Sequence, residues 1–170
     1  MPGAPTRSLK HPTGPVPARQ RRKEARPQEL LDAALTLFSE KGFAATRAEE
    51  VAAHAGVSKG TLYLYYPSKA ELLKAVIREN LSKLIAEGLE LVEAYEGPTA
   101  ELLALLMQTW WERVGNTPAS AIHKIMISEV RNFPDLGEFY NDEVIKPATL
   151  LLSTALQLSL IHISEPTRPY

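Results

Sequence analysis

Lys59, Gly60 and Thr61 stand in a row at the head of a short run that ends Tyr63-Leu64-Tyr65. A lysine ammonium donates to guanine O6 or N7, and a threonine hydroxyl donates or accepts while its methyl meets that of thymine. Gly60 adds no side chain and permits close approach. Phenol hydroxyls such as those of Tyr63 and Tyr65 suit contacts to phosphate or sugar. Ser58, just ahead of the run, is placed to cap a helix and counts with these residues as a candidate DNA contact. Lys69 stands beside a further helix start, so its charge and that helix end can act on one phosphate. Upstream, Thr46 is a cap that can also touch phosphate, and Arg47 can reach backbone or base. The plainer reading of these residues is a solvated helix end. No competing chemistry is visible: there is no nucleophile elbow, no phosphate-binding glycine loop and no His-Glu-x-x-His. With four scattered histidines and no cysteine, neither a zinc site nor a disulfide is expected. No cofactor or catalytic set is expected, and so no enzyme.

The elements that must carry these residues are short helices. Thr46 and Glu49 have the spacing of a capping box, which opens a helix with Val51, Ala52 and Ala55 on its apolar face. Gly56 ends it, since a left-handed turn is cheap only for glycine. Ser58 caps the next helix, and Ser68 with Glu71 opens a third. Helix, glycine turn and capped helix with exposed polar groups is the helix-turn-helix plan for entering a major groove. A preceding helix is expected from Pro27 to Gly42, with Leu30, Leu31, Ala34, Leu37 and Phe38 on one face.

The run from Leu30-Leu31-Asp32-Ala33-Ala34 through Leu37-Phe38-Ser39-Glu40-Lys41-Gly42-Phe43, then Thr46, Val51-Ala52, Ala55-Gly56-Val57-Ser58, Gly60-Thr61-Leu62-Tyr63, Tyr65-Tyr66 and Ser68-Lys69 resembles the DNA-binding domain of the TetR family of bacterial transcriptional regulators. The resemblance covers roughly residues 27–81. It implies an all-α protein: a three-helix DNA-binding domain followed by a helical effector and dimerisation domain. It also implies a repressor that holds a palindromic DNA operator as a homodimer and is released by a small apolar or aromatic effector. The alternative is a DNA-binding module governed by a protein partner. The resemblance places Lys59, Gly60 and Thr61 over base edges, Tyr63 and Tyr65 on the backbone, and Tyr66 in the core.

Charge is distributed to match. Residues 1–69 hold 11 Lys and Arg against 6 Asp and Glu, while residues 70–170 hold 8 against 14. A basic front on an acidic body suits binding of a polyanion by one end. Residues 1–26 read as a disordered basic arm, in which Arg19-Gln20-Arg21-Arg22-Lys23 either follows DNA or is a solvated tail. Residues 27–69 form the helix-turn-helix domain, and 70–157 a partial ligand-binding domain. No apolar run approaches the roughly 18 residues of a membrane span, and no secretory signal is readable. No membrane partner is expected, and the location is cytoplasmic.

In the second domain one helix is expected from Lys69 to about Val92, another from Gly97-Pro98 to Val114, and a third from Thr117-Pro118 to Val130. A fourth opens at a capping box of Asp135 and Glu138 and is kinked at Pro147. Met107, Trp110, Trp111, Ile125, Met126, Phe133 and Tyr140 either line a ligand cavity or fill the core. His123 is either a polar anchor for an effector or a satisfied structural histidine. Residues 158–170 stand apart. Leu158-Ser159-Leu160-Ile161-His162-Ile163-Ser164-Glu165-Pro166-Thr167-Arg168 matches the translation of a transposase adapter used in sequencing libraries. The expectation is an artefactual tail that replaces the last dimerisation helices.

Overall fold

A computed structural model describes the backbone of residues 18–164 and the side chains of residues 27–158. Among the described residues it is all-α. Helix α1 (Ala18–Lys41), α2 (Ala48–His54) and α3 (Lys59–Tyr65) form the front of the molecule. A long helix follows: α4 (Lys69–Ile77) runs through a π-helical turn, Arg78–Ser82, into α5 (Lys83–Ala94). Next, α6 (Thr99–Trp110) ends in a second π turn, Trp111–Gly115, and a 3-10 turn, Pro118–Ser120, leads into α7 (Ala121–Glu129). Finally α8 (Pro134–Tyr140) passes through a third π turn, Asn141–Ile145, into α9 (Lys146–Ser164).

The expected apolar face of α1 is the buried one: Leu30, Leu31, Ala34, Leu37 and Phe38 all lie in the core. They meet Val51 and Ala52 of α2, Leu62 of α3, and Leu72, Leu73, Val76 and Ile77 of α4. Gly42 and Gly56 both take positive φ, at 85° and 68°, so each terminates its helix as a left-handed residue. The same hydrophobic cluster continues without a break into Val114, Ile122, Ile125, Met126, Leu136 and Val144. A second, smaller cluster holds Val92, Leu102 and Ala155 where α5, α6 and α9 meet.

Three local expectations are corrected. Helix α1 begins at Ala18, with Pro27 inside it. The residues ahead of the proline, Arg19 to Ala25, are mostly strong helix formers, so the backbone of 18–26 is helical and not a disordered arm. The remainder of that arm, residues 1–17, lies outside the described residues, as do the side chains of Arg19 to Lys23. Helix α2 is capped one residue later than expected. Arg47 is its N-cap residue, and the Arg47 N–H donates to Glu50 Oε2 at 3.0 Å. Helix α8 opens at Pro134 and not through Asp135, because the fixed φ of proline suits the first helical position. Pro147 sits near the start of α9, directly after a π turn. The wider turn bonds Lys146 N–H to Asn141 O, a local departure from α-helical pairing directly before the proline.

The caps at Ser58, Ser68 and Thr117 are as expected: each side-chain oxygen accepts from a backbone N–H two or three residues on. Helix α9 continues to Ser164, so the backbone stays helical through the first residues of the adapter-like run; residues 165–170 lie outside the described residues. Among the described residues no helix is long and apolar enough to cross a membrane.

Candidate nucleic-acid interface

Helix α3 is anchored by one side and presents the other. Leu62 is fully buried, and Tyr65 and Tyr66 pack half-buried against the core with their rings 6.5 Å apart. Around Leu62 the helix turns Lys59, Gly60, Tyr63 and Leu64 to the outside. Leu64 is 80% exposed. An apolar side chain so placed has no role in the core, and it adds to the candidate contacts. Its position, two residues from the buried Leu62 and so on the opposite side of the helix, was the signal for it.

Several polar groups on this face already have partners. Ser58 Oγ accepts from the Thr61 N–H at 3.1 Å and lies 2.9 Å from Thr61 Oγ1, so Ser58 is a cap and orients the threonine hydroxyl. Lys59 forms an ion pair with Glu49 of α2 and lies 5.7 Å from the centre of the Tyr63 ring. That hydrogen bond holds Glu49 below the usual carboxylate range and raises Lys59 above its ordinary value. Sequence reasoning read Glu49 as a capping partner and missed this role, because the two residues are far apart in the chain. Arg47 is exposed at the head of α2.

Two expected phosphate contacts are corrected. Thr46 is 1% exposed, and its hydroxyl donates to Gly42 O at 2.7 Å and lies 3.2 Å from Leu37 O. It fastens the end of α1 to the start of α2. Lys69 Nζ donates to the carbonyls of Phe43, Ala44 and Thr46 at 2.7, 3.3 and 3.1 Å. It also lies 4.5 Å from the Phe43 ring centre. An ammonium has three donors, so Lys69 is occupied in closing the α1–α2 turn. Burial lowers its pKa, an effect the nearby Glu129 carboxylate opposes.

The candidate ligand set divides. His123, Met126 and Tyr140 line a cleft of about 340 Å³ between α7 and α8, with Ile127, Val130 and Ile145. The His123 ring lies 6.5 Å from Trp110 and 6.4 Å from Tyr140, and its Nδ1 is buried without a hydrogen-bond partner. Burial lowers its pKa, which favours the neutral imidazole. Met107, Trp110, Trp111 and Phe133 do not line this cleft. Met107, Trp110 and Trp111 are exposed on or just after α6, because the helix buries Leu102 and turns the later residues outward. Phe133 instead packs edge-on against Phe43, centroids 5.5 Å apart, and so joins the α7–α8 turn to the α1–α2 turn.

Comparison with known proteins agrees with this geometry. Residues 30–76 match the family described as bacterial regulatory proteins, tetR family. The HTH-type transcriptional repressor KstR2 of Mycolicibacterium smegmatis is 29% identical over 115 residues, covering 68% of this chain and 55% of that protein. The chain thus spans about half the length of the curated relatives it matches. Among solved structures, a TetR-like transcriptional regulator from Rhodococcus sp. RHA1 is 30% identical with a TM-score of 0.56, covering 82% of this chain and 76% of that one. The regulator FadR from Bacillus subtilis, solved with stearoyl-CoA, shares the fold at 20% identity and a TM-score of 0.61, over 84% of this chain and 75% of that one.

Proposed function

The chain belongs to the TetR family of bacterial regulatory proteins, and from that premise we propose that it is a DNA-binding transcriptional repressor. One observation carries the reading: α3 holds Lys59, Gly60, Tyr63 and Leu64 on a face that the core does not need. The first turn of such a helix reaches base edges in a major groove, while α2 crosses the backbone. The repressor acts as a homodimer on a two-fold operator, which makes its second half-site contact nearly intramolecular.

Its effector is a small, largely apolar or aromatic molecule. The cleft that holds His123, Met126 and Tyr140 supports this, since it is apolar with few polar groups. His123 is the one imidazole among the side chains that line it. FadR from Bacillus subtilis, which shares the fold, was solved with stearoyl-CoA, a ligand with an apolar acyl chain. The exposed Met107, Trp110 and Trp111 suit a second reading, in which a protein partner supplies the control.

An operator selected from random duplexes tests the reading. Lys59→Ala and Thr61→Ala should each weaken it by about 1–3 kcal/mol and relax base preference at one position. Tyr63→Phe should weaken operator and scrambled DNA alike. Unchanged operator affinity in all three variants would remove the assignment.

A further inference from the structure

Lys59, the one lysine of the reading helix, is not a free cation in the DNA-free protein. Its ammonium is held by the Glu49 carboxylate and lies near the Tyr63 ring. The two paired side chains are about half exposed, at 55% and 52%, so the pair sits on the surface that must meet DNA. Glu49 is on α2, the helix that crosses the phosphate backbone in this docking plan. It is not spent on the helix cap, which belongs to Glu50.

We propose that Glu49 is an affinity-limiting residue: its carboxylate competes with DNA for the Lys59 ammonium and so holds down binding to any duplex. The inference rests on the DNA-binding reading above. On random DNA the only gain to Lys59 is phosphate contact. Exchanging a carboxylate for a phosphate gains little, and it leaves the freed carboxylate facing the strand. On a matched site Lys59 bonds a base edge and the neighbouring contacts of α3 form with it, which offsets the exchange. Exposed ion pairs are weak, so the pair opens readily once those contacts are available.

The experiment measures binding of the 170-residue chain to a random-sequence duplex and to the selected operator over a salt series. The variants are Glu49→Gln, Glu49→Ala, Lys59→Gln and the double Glu49→Gln/Lys59→Gln. Glu90→Gln, at the far end of α5, removes an equal charge away from this face. Circular dichroism melts check that each variant is folded. Glu49→Gln and Glu49→Ala should tighten random-duplex and operator binding alike, by several-fold. On the random duplex they should steepen the salt slope by roughly 0.9, the value for one added phosphate contact. In the Lys59→Gln background the gain should vanish, and Glu90→Gln should do nothing. An unchanged affinity and slope in both Glu49 variants would overturn the proposal. So would an equal gain with Lys59 absent, which would mark general charge repulsion. Absence of duplex binding by every folded variant at low salt would instead overturn the DNA-binding reading itself.

Discussion

Gly60 leaves a gap on the outer side of α3: a Cβ built there would meet only Ser58 Oγ, at 3.9 Å. The fold therefore does not require glycine at this position, and helix formation disfavours it. Gly60→Ala should raise thermal stability by about 0.5–1 kcal/mol and yet weaken operator binding, because a methyl group intrudes where the helix approaches the groove. A stability gain with undiminished DNA affinity would deny Gly60 a place in the interface. At this scale the sequence was read well where partners are local. Ser58 and its N–H partner at Thr61 are three residues apart and were legible. Thr46 and Lys69 were misread because Thr46 turns inward onto carbonyls 4 and 9 residues back, and Lys69 reaches carbonyls up to 26 residues away. A threonine at a helix start and a lysine at a helix start look the same whether they face phosphate or the carbonyls of a neighbouring turn.

Among the elements, Gly88 marks the tightest crossing of α5. Its Cβ would lie 3.0 Å from Leu151 Cδ2 on α9 and 3.7 Å from Leu106 Cδ2 on α6. Gly88→Leu should force these helices apart and cost about 1–3 kcal/mol of stability, read as a lower midpoint in thermal unfolding. Gly88→Ala asks only a small shift of the flexible Leu151 and should cost far less. Equal midpoints for the leucine variant and the wild type would show that the crossing is loose. Apolar periodicity was enough to find the helices, and α1 buries the face expected of it, whereas α6 leaves Met107, Trp110 and Trp111 exposed. The π turns were not legible, because a wide turn has no fixed residue pattern. The turn at Arg78–Ser82 packs against both of the others. There Arg78 holds Glu143 at 2.8 Å and lies over Phe139, which are contacts between segments far apart in the chain. The proline rules gave a sound reading at Pro118 and misplaced a boundary at Pro27. Proline limits local geometry, while the neighbouring residues decide whether a helix continues through it.

For the molecule as a whole, the main hydrophobic cluster runs from Leu30 to Val144 and crosses Lys69 without a seam. A boundary at residue 69 follows the motif, but it divides one core. A fragment ending at Lys69 would lack Leu72, Leu73, Val76 and Ile77, each fully buried. Each such residue contributes about 1.5–3 kcal/mol, and a domain's whole margin is about 5–15 kcal/mol. The fragment should show little cooperative melting by circular dichroism, whereas the 170-residue chain melts cooperatively. A sharp transition in the fragment would show that the front folds alone. The continuous core also sets where this chain can be recombined. The α1–α2 turn is gripped by Lys69 of α4 and by Phe133 beyond α7, so the DNA-reading head cannot be exchanged as a cassette. A chimera that joins a foreign sensor just after the helix-turn-helix would inherit half a core, whereas one that also carries over α4, α7 and α8 would keep its reading head intact.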